Sequence, residues 1–147
     1  MTAVDISAVA IERLAGLARS HGLDDRIACE RHDLRESFPA GRFDLVSAHY
    51  LHTPFDFDRG AVLRLAAYAL RPGGRLLVVD HGSTAPWSWN QDPDVRYPSP
   101  HEVAAGIDLD PATWTVERAD APRRTATGPD GRTAEVTDNV LLIRRTA

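Results

Sequence analysis

Cysteine is nearly absent. Cys29 stands alone among 147 residues, so no disulfide can form within the chain, and a reducing, cytoplasmic setting is the simplest expectation. Positive charge is not in excess either. The formal net charge is −4, which argues against the basic face of a dedicated nucleic-acid binder. No stretch approaches the roughly 20 consecutive apolar residues that cross a bilayer, so no membrane partner is expected. Asp5, Glu12 and Arg13 interrupt the apolar run near the start, which does not read as a signal peptide. Neither a GxGxxG nor a GxxxxGK pattern occurs, and Gly73-Gly74 is therefore read as a turn and not as a phosphate cradle.

What is present is ordinary for a folded domain. Hydrophobic residues make up 43% and charged residues 26%, and the length fits a single domain spanning 1–147 with its own core. Thr2–Ile6 is a short strand, with Ser7 or Asp5 placed to cap a helix. Val9, Ile11, Leu14, Leu17 and Ala18 recur at helical spacing, and His21-Gly22 ends that helix. Arg26–Arg31 alternates as a second strand running into His32-Asp33-Leu34. Pro39 and Gly41 mark a loop. Phe43–His49 is a strand whose run LVSA suits burial on both faces. Asp58–Leu70 is helical, stopped by Arg71-Pro72-Gly73-Gly74. Arg75–Asp80, RLLVVD, is β-branched and apolar and belongs in a sheet centre. Gly82–Pro100 is irregular, Pro100–Ala105 a short helix, and Trp114–Ala119 and Asn139–Arg145 are strands. Gly128-Pro129-Asp130-Gly131 is a turn that makes the last two strands hairpin-like. Strands alternating with helices imply a mainly parallel sheet covered on both faces, here with an antiparallel end.

The stretches TAVDIS, the strand ending before Asp33, FDLVSAHYLH and LRPGGRLLVVDH, in that order, resemble class I S-adenosylmethionine-dependent methyltransferases, in particular small bacterial ones acting on small molecules. The resemblance implies an α/β fold, a Rossmann-like three-layer sandwich with a mostly parallel sheet and an antiparallel C-terminal strand pair. It implies S-adenosylmethionine as cofactor and methyl transfer to a small-molecule acceptor on O, N or C. The residue matching Asp5, with Ile6 beside it, receives the ribose hydroxyls in that family. The residue matching Asp33 receives the adenine amino group, and the Leu34 backbone N–H meets a ring nitrogen. Residues matching His49 and Tyr50 lie beside the methionine portion and the transferred methyl. Independently of the family, ligands of open parallel sheets bind outside the carboxyl ends of the strands, where Asp5, Asp33, His49 and Asp80 all fall.

Each of these residues also has a plainer reading. Asp5 suits a helix cap, and Asp33 suits a solvated turn. His49 or His81 is the candidate general base, since imidazole titrates near neutrality; as surface residues they would do nothing. His49, His52, Asp80 and His81 form too incomplete a ligand set for a metal, and none is expected. Trp87, Trp89 and Tyr97 would either line an acceptor pocket or pack beneath a long loop. Arg123-Arg124 and Arg144-Arg145 read as solvated sheet edges.

The resemblance has one gap. The family's first strand and its GxGxG turn have no counterpart in these residues, which read as an N-terminally truncated domain. In the family's strand order, 3-2-1-4-5-7-6, that strand is the centre. Its loss would leave two unpaired edges, so the expectation is either direct pairing of the first and third visible strands or association, such as a homodimer, through the edges. A non-catalytic fragment is the alternative function on this reading.

Overall fold

The computed structural model describes residues 1–52 and 57–147. The chain forms two compact units, 1–41 and 42–147.

In the first unit, strand β1 (Thr2–Asp5), helix α1 (Ala8–Ser20) and strand β2 (Ala28–Arg31) form a β-α-β motif. β1 and β2 pair in parallel, with Asp5 opposite Arg31. Ser7 is the N-cap of α1 and its Oγ accepts from the Ala10 N–H. His21 is the C-cap, and Gly22 follows at φ +63°, a left-handed conformation that glycine adopts without steric cost. Both boundaries agree with the sequence reading.

The second unit contains β3 (Phe43–His49), α2 (Arg59–Tyr68), β4 (Leu70–His81), α3 (Pro100–Ile107), β5 (Trp114–Asp120), β6 (Arg123–Thr127) and β7 (Thr133–Arg145). Its sheet runs in the order β3-β4-β7-β5, with β6 also on β7. Only β3 and β4 pair in parallel there; β7 is antiparallel to β4, β5 and β6. The sheet is therefore mixed. The order within each unit matches the 3-2 and the 4-5-7-6 portions of the family order. β1 and β3 belong to different sheets.

Besides β3, which has no buried residue where burial of its LVSA run on both faces was expected, two details depart from the sequence reading. LRPGG does not end before β4 but lies within it. Phe43 pairs with Leu70 and Leu45 with Arg75, so residues 71–74 bulge out of the ladder. The second detail is β6, which the sequence reading missed. β5 and β6 lie along the same edge of β7, with Asp120 opposite Val140 and Arg123 opposite Thr137. Pro122 has no N–H to give the ladder, and its carbonyl accepts from Asp138 instead. The hairpin closes where expected: the Gly128 N–H donates to the Arg132 carbonyl.

The core of this unit is one face of β4 against the helices. Leu70, Leu76, Val78 and Asp80 are buried in alternation along β4, the period of a strand with one inward face. Val62, Leu63, Ala66 and Ala67 of α2 and Val103 and Ile107 of α3 are buried with them. The helices approach closely. A Cβ added at Gly60 in α2 would stand 2.6 Å from the Gly106 carbonyl oxygen of α3, whereas one at Gly106 would meet nothing within 4 Å. Gly60→Ala is expected to destabilise by about 1–3 kcal/mol through overpacking. Gly106→Ala should be neutral or stabilising by up to about 1 kcal/mol. Urea titration of the two variants checks the pair; equal effects would refute the close crossing.

Candidate functional site

The carboxyl ends of β1 and β2 are side by side. The Asp5 carbonyl accepts from the His32 N–H, and the Ile6 carbonyl accepts from Arg31 Nε at 2.9 Å. The Asp5 side chain is exposed and its Oδ1 accepts from the Ser7 N–H at 2.7 Å, so it fixes the turn into α1. A carboxylate has about four acceptor positions, and this contact uses one. Asp33 is held differently. Arg35 donates to both of its oxygens, Nη2 to Oδ2 at 2.6 Å and Nε to Oδ1 at 3.0 Å, and the Arg35 backbone N–H adds a further bond. These bonds hold the Asp33 carboxyl at about 2. The Glu36 and Ser37 N–H groups donate to the Asp33 carbonyl, which sets the turn that carries Leu34. His32 Nε2 lies 3.0 Å from Glu30 and Nδ1 2.9 Å from Ser37.

At the carboxyl end of β4 the chemistry divides between the two faces of the sheet. Asp80 continues the buried face and is 3% exposed. Its Oδ2 accepts from Arg59 Nη2 at 2.6 Å, and its Oδ1 faces His52 Nε2 at 3.4 Å. Oδ1 has no hydrogen-bond donor among the described residues, and neither has Arg59 Nε an acceptor. Burial raises the carboxyl pKa, but His52 and Arg59 outweigh it and hold Asp80 below its ordinary value. Opposite Asp80, Asn139 donates to the Pro98 carbonyl.

His81 points to the other face, beside its cross-strand partner Asp138. Tyr50 stacks on His81 with ring centroids 4.4 Å apart, and Tyr97 meets His81 edge-on at 6.2 Å. The Tyr50 hydroxyl donates to Asp138 Oδ1 at 3.2 Å and lies 3.3 Å from Arg124 Nη2, while Arg124 Nε binds Asp138 Oδ2 at 2.5 Å. Tyr50 has φ +49°, a strained conformation for a bulky residue. His49 is exposed, with Nε2 2.7 Å from Ser47 Oγ.

Arg124 therefore corrects the reading of solvated edges: it binds the buried Asp138. Arg144 is paired as well, with Nε 2.8 Å from Glu117, a residue at the β5 register shift that also binds Arg75. Of the three aromatics, Tyr97 joins the His81 cluster. The Trp87 ring packs on Gly128, where an added Cβ would stand 2.6 Å from it, and Trp89 is 96% exposed. The Asp80–Arg59–His52 group was not legible as a unit, because Arg59 opens α2 and nothing in its neighbourhood points to β4. Among the described residues no group of three or more His, Cys, Asp or Glu could hold a metal ion, and no helix is long and apolar enough to cross a membrane.

Comparison with known proteins was made against this geometry. A family described as methyltransferase domain matches residues 1–74. The chain belongs to that family. It is 40% identical over 85 residues to 27-O-demethylrifamycin SV methyltransferase of Amycolatopsis mediterranei. That alignment covers 54% of this chain and 29% of the relative, so the chain spans less than a third of that protein. Among solved structures, TehB from Haemophilus influenzae superposes with a TM-score of 0.68 at 14% identity, over 98% of this chain and 49% of that one. A protein studied for conversion of a disulfide into a thioacetal during echinomycin biosynthesis gives 0.70 at 23% identity, over 98% and 66%. The [4+2]-cyclase SpnF gives 0.66 at 18% identity, over 98% and 66%. These likenesses show the fold, a Rossmann-like class I methyltransferase fold.

The Arg35–Asp33 contact predicts a titration. NMR should place the Asp33 carboxyl at about 2, and Arg35→Gln should return it toward the ordinary carboxylate range. Since the folded value is depressed, its small, salt-screened stabilisation is present above the ordinary value and fades as pH falls through the folded one. No change in Arg35→Gln would show that the arginine does not control this group.

Proposed function

We propose that the chain binds S-adenosylmethionine and serves methyl transfer to a small-molecule acceptor. The observation that carries this reading is the placement of Asp5 and Asp33 at one end of the parallel β1–β2 pair, in a chain of the methyltransferase-domain family. The groups suit an adenosine. Asp5 keeps acceptor capacity for a vicinal diol beyond its bond to Ser7. Asp33, ionised throughout the physiological range, can accept but not donate, and an adenine amino group would replace one of the bonds it now receives from Arg35. Ile6 flanks the first, and the Leu34 backbone N–H flanks the second.

When bound, S-adenosylmethionine supplies a methyl group on a positively charged sulfur, a good leaving group. What remains for the protein is alignment and exclusion of water. In the second unit, taken by itself, we assign that work to the Tyr50–His81 cluster, with His81 and His49, which faces Ser47 instead, as the sequence-based candidates for accepting a proton. The relative's name supports a hydroxyl as the acceptor.

Calorimetric titration tests the reading. Micromolar binding of S-adenosylmethionine with none of NAD is expected, and Asp5→Asn, which keeps the oxygen that receives the Ser7 N–H, should weaken it about tenfold or more through loss of charge-assisted bonds. Absence of heat with S-adenosylmethionine would overturn the proposal and favour a non-catalytic role.

A further inference from the structure

Strand β2 runs out in an alternation that sets two polar side chains on one face. Glu30 and His32 are two residues apart, and the His32 N–H extends the ladder to the Asp5 carbonyl. The strand period therefore carries past Arg31, and both side chains project from the same face. Glu30 Oε2 lies 3.0 Å from His32 Nε2. The chain then closes one turn. The Ser37 N–H donates to the Asp33 carbonyl at 2.8 Å, the Glu36 N–H donates to the same oxygen at 2.9 Å, and the Arg35 N–H donates to the Asp33 carboxylate. This turn returns Ser37 to the strand end, where its Oγ stands 2.9 Å from His32 Nδ1. All of these residues belong to the first unit.

Carboxylate, imidazole and hydroxyl are thus linked in sequence, and chemistry fixes the direction of the hydrogen bonds. An ionised carboxylate can only accept, so Glu30 takes the Nε2–H of the neutral ring. The lone pair is then on Nδ1, and the Ser37 hydroxyl is the donor to it. The alternative acceptor for that hydroxyl, the Asp33 carbonyl, is at 3.5 Å, too far for a good O–H···O bond. The turn is closed by backbone bonds and does not need the serine side chain. Elsewhere the histidines are disposed differently. His21 Nδ1 meets the Leu17 carbonyl and Ser20, His49 Nε2 meets Ser47, and His52 Nε2 faces Asp80. Among the described residues, His32 alone has a carboxylate at one nitrogen and a hydroxyl at the other. Its side chain is 18% exposed, whereas Ser37 is exposed: the imidazole is shielded and the hydroxyl is open to solvent.

We propose that Ser37 is a nucleophile for acyl transfer, with His32 as its general base, and that this site hydrolyses phenyl esters of small acyl groups. It is a second activity, independent of S-adenosylmethionine. A hydroxyl within hydrogen-bond reach of a base, with that base held by a third group, is the arrangement that activates serine on unrelated folds. Ser37 Oγ forms a bond to the acyl carbon as its proton passes to His32 Nδ1. The bond from the acyl carbon to the phenol oxygen then breaks, and the phenol leaves with the proton from Nδ1. Water repeats the sequence on the acyl-serine. It gives one proton to Nδ1 and forms the new carbon–oxygen bond, the Oγ–carbon bond breaks, and Oγ takes the proton back. The products are the phenol and the carboxylic acid. Glu30 is a positioning residue, which holds the ring with Nδ1 toward Ser37 and meets the imidazolium charge when it forms. A phenol is the fitting leaving group because it departs readily, and the exposed hydroxyl admits the ester from solvent.

Three measurements on the full chain test this. An alkyl fluorophosphonate, whose phosphorus takes the Oγ bond as fluoride leaves, should give one adduct, placed at Ser37 by peptide mass spectrometry. His32→Gln should slow that labelling about a hundredfold or more, and Glu30→Gln should slow it less. With p-nitrophenyl acetate, release of p-nitrophenol should pass through acetyl-Ser37 and be lost in Ser37→Ala, a surface substitution of the kind folds tolerate. Long-range nitrogen-15 NMR of the unaltered chain should show neutral His32 as the Nε2–H tautomer, with that preference reduced in Glu30→Gln; a merely structural glutamate would leave it in place. Labelling spread evenly over the serines, ester hydrolysis undiminished in Ser37→Ala, or His32 in the Nδ1–H form would each overturn the proposal.

Discussion

A carboxylate taken out of water organises the second unit. Asp80 sits at the end of the buried stripe of β4, one alternation beyond Val78, in a position that pattern alone would fill with an apolar residue. Burying an ion of this size costs several kcal/mol unless it is paired. The partner is Arg59, and its location is informative. Arg59 is the first residue of α2, where the helix dipole disfavours a cation. Asp58, the N-cap, accepts from the Ala61 N–H and brings negative charge to the same turn. Arg59 thus has one carboxylate beside it in sequence and another bonded to it across space, and its bond to Asp80 ties the start of α2 to the end of β4. Removal of either partner would strand the other. The pair therefore fixes the helix on the strand more strictly than leucine contacts could, since an apolar contact tolerates a slide that an ion pair does not.

A second buried carboxylate, Asp138, does the same for the opposite face. It holds Arg124 from β6 and the Tyr50 hydroxyl from the turn after β3. The cross-strand register explains how one short region serves two faces: Asp80 stands opposite Asn139, and His81 opposite Asp138. Two adjacent residues of β4 thus point their chemistry to opposite sides, one inward toward Arg59, one outward beneath Tyr50. The hairpin of β6 and β7 contributes Arg124 to this arrangement because Pro122 interrupts the ladder and the chain resumes pairing beyond it.

These features mark what could be read from sequence. RLLVVD was legible as a central strand because its composition and length leave no alternative, and α1 was legible because capping residues bracket a periodic run. The carboxyl-end placement of Asp5, Asp33 and Asp80 followed from strand direction. Partners did not follow. Asp33 read as a ligand or as a solvated residue, and in the fold its charge is met by Arg35, two residues away, a local contact no period reveals. Arg124 read as a solvated edge because a run of RRT has no apolar face; its partner Asp138 lies on the next strand, across a turn. β6 escaped for the same reason, being exposed on both faces except at Ala126. Long-range polar pairs carry no periodic signal, and the candidate site is built mostly from them.

Fold by itself decides little about reaction here. The structures that superpose on this chain include one named for a cyclisation, at a TM-score close to that of TehB. The same framework thus supports chemistries of different kinds, and the distinction must lie in the side chains at the strand ends. A cyclisation of a neutral substrate requires shape and no proton acceptor. Methylation of a hydroxyl or amine requires a place for the departing proton unless the acceptor is already ionised. The second unit has a half-exposed imidazole against a buried, ionised carboxylate that already has its arginine. A framework serving shape alone would gain from an apolar residue at position 80, which would cost no desolvation. That the fold carries instead a charge, its counter-ion and a strained turn returning a histidine to it marks this end of the sheet as built around a buried ion and not around shape alone.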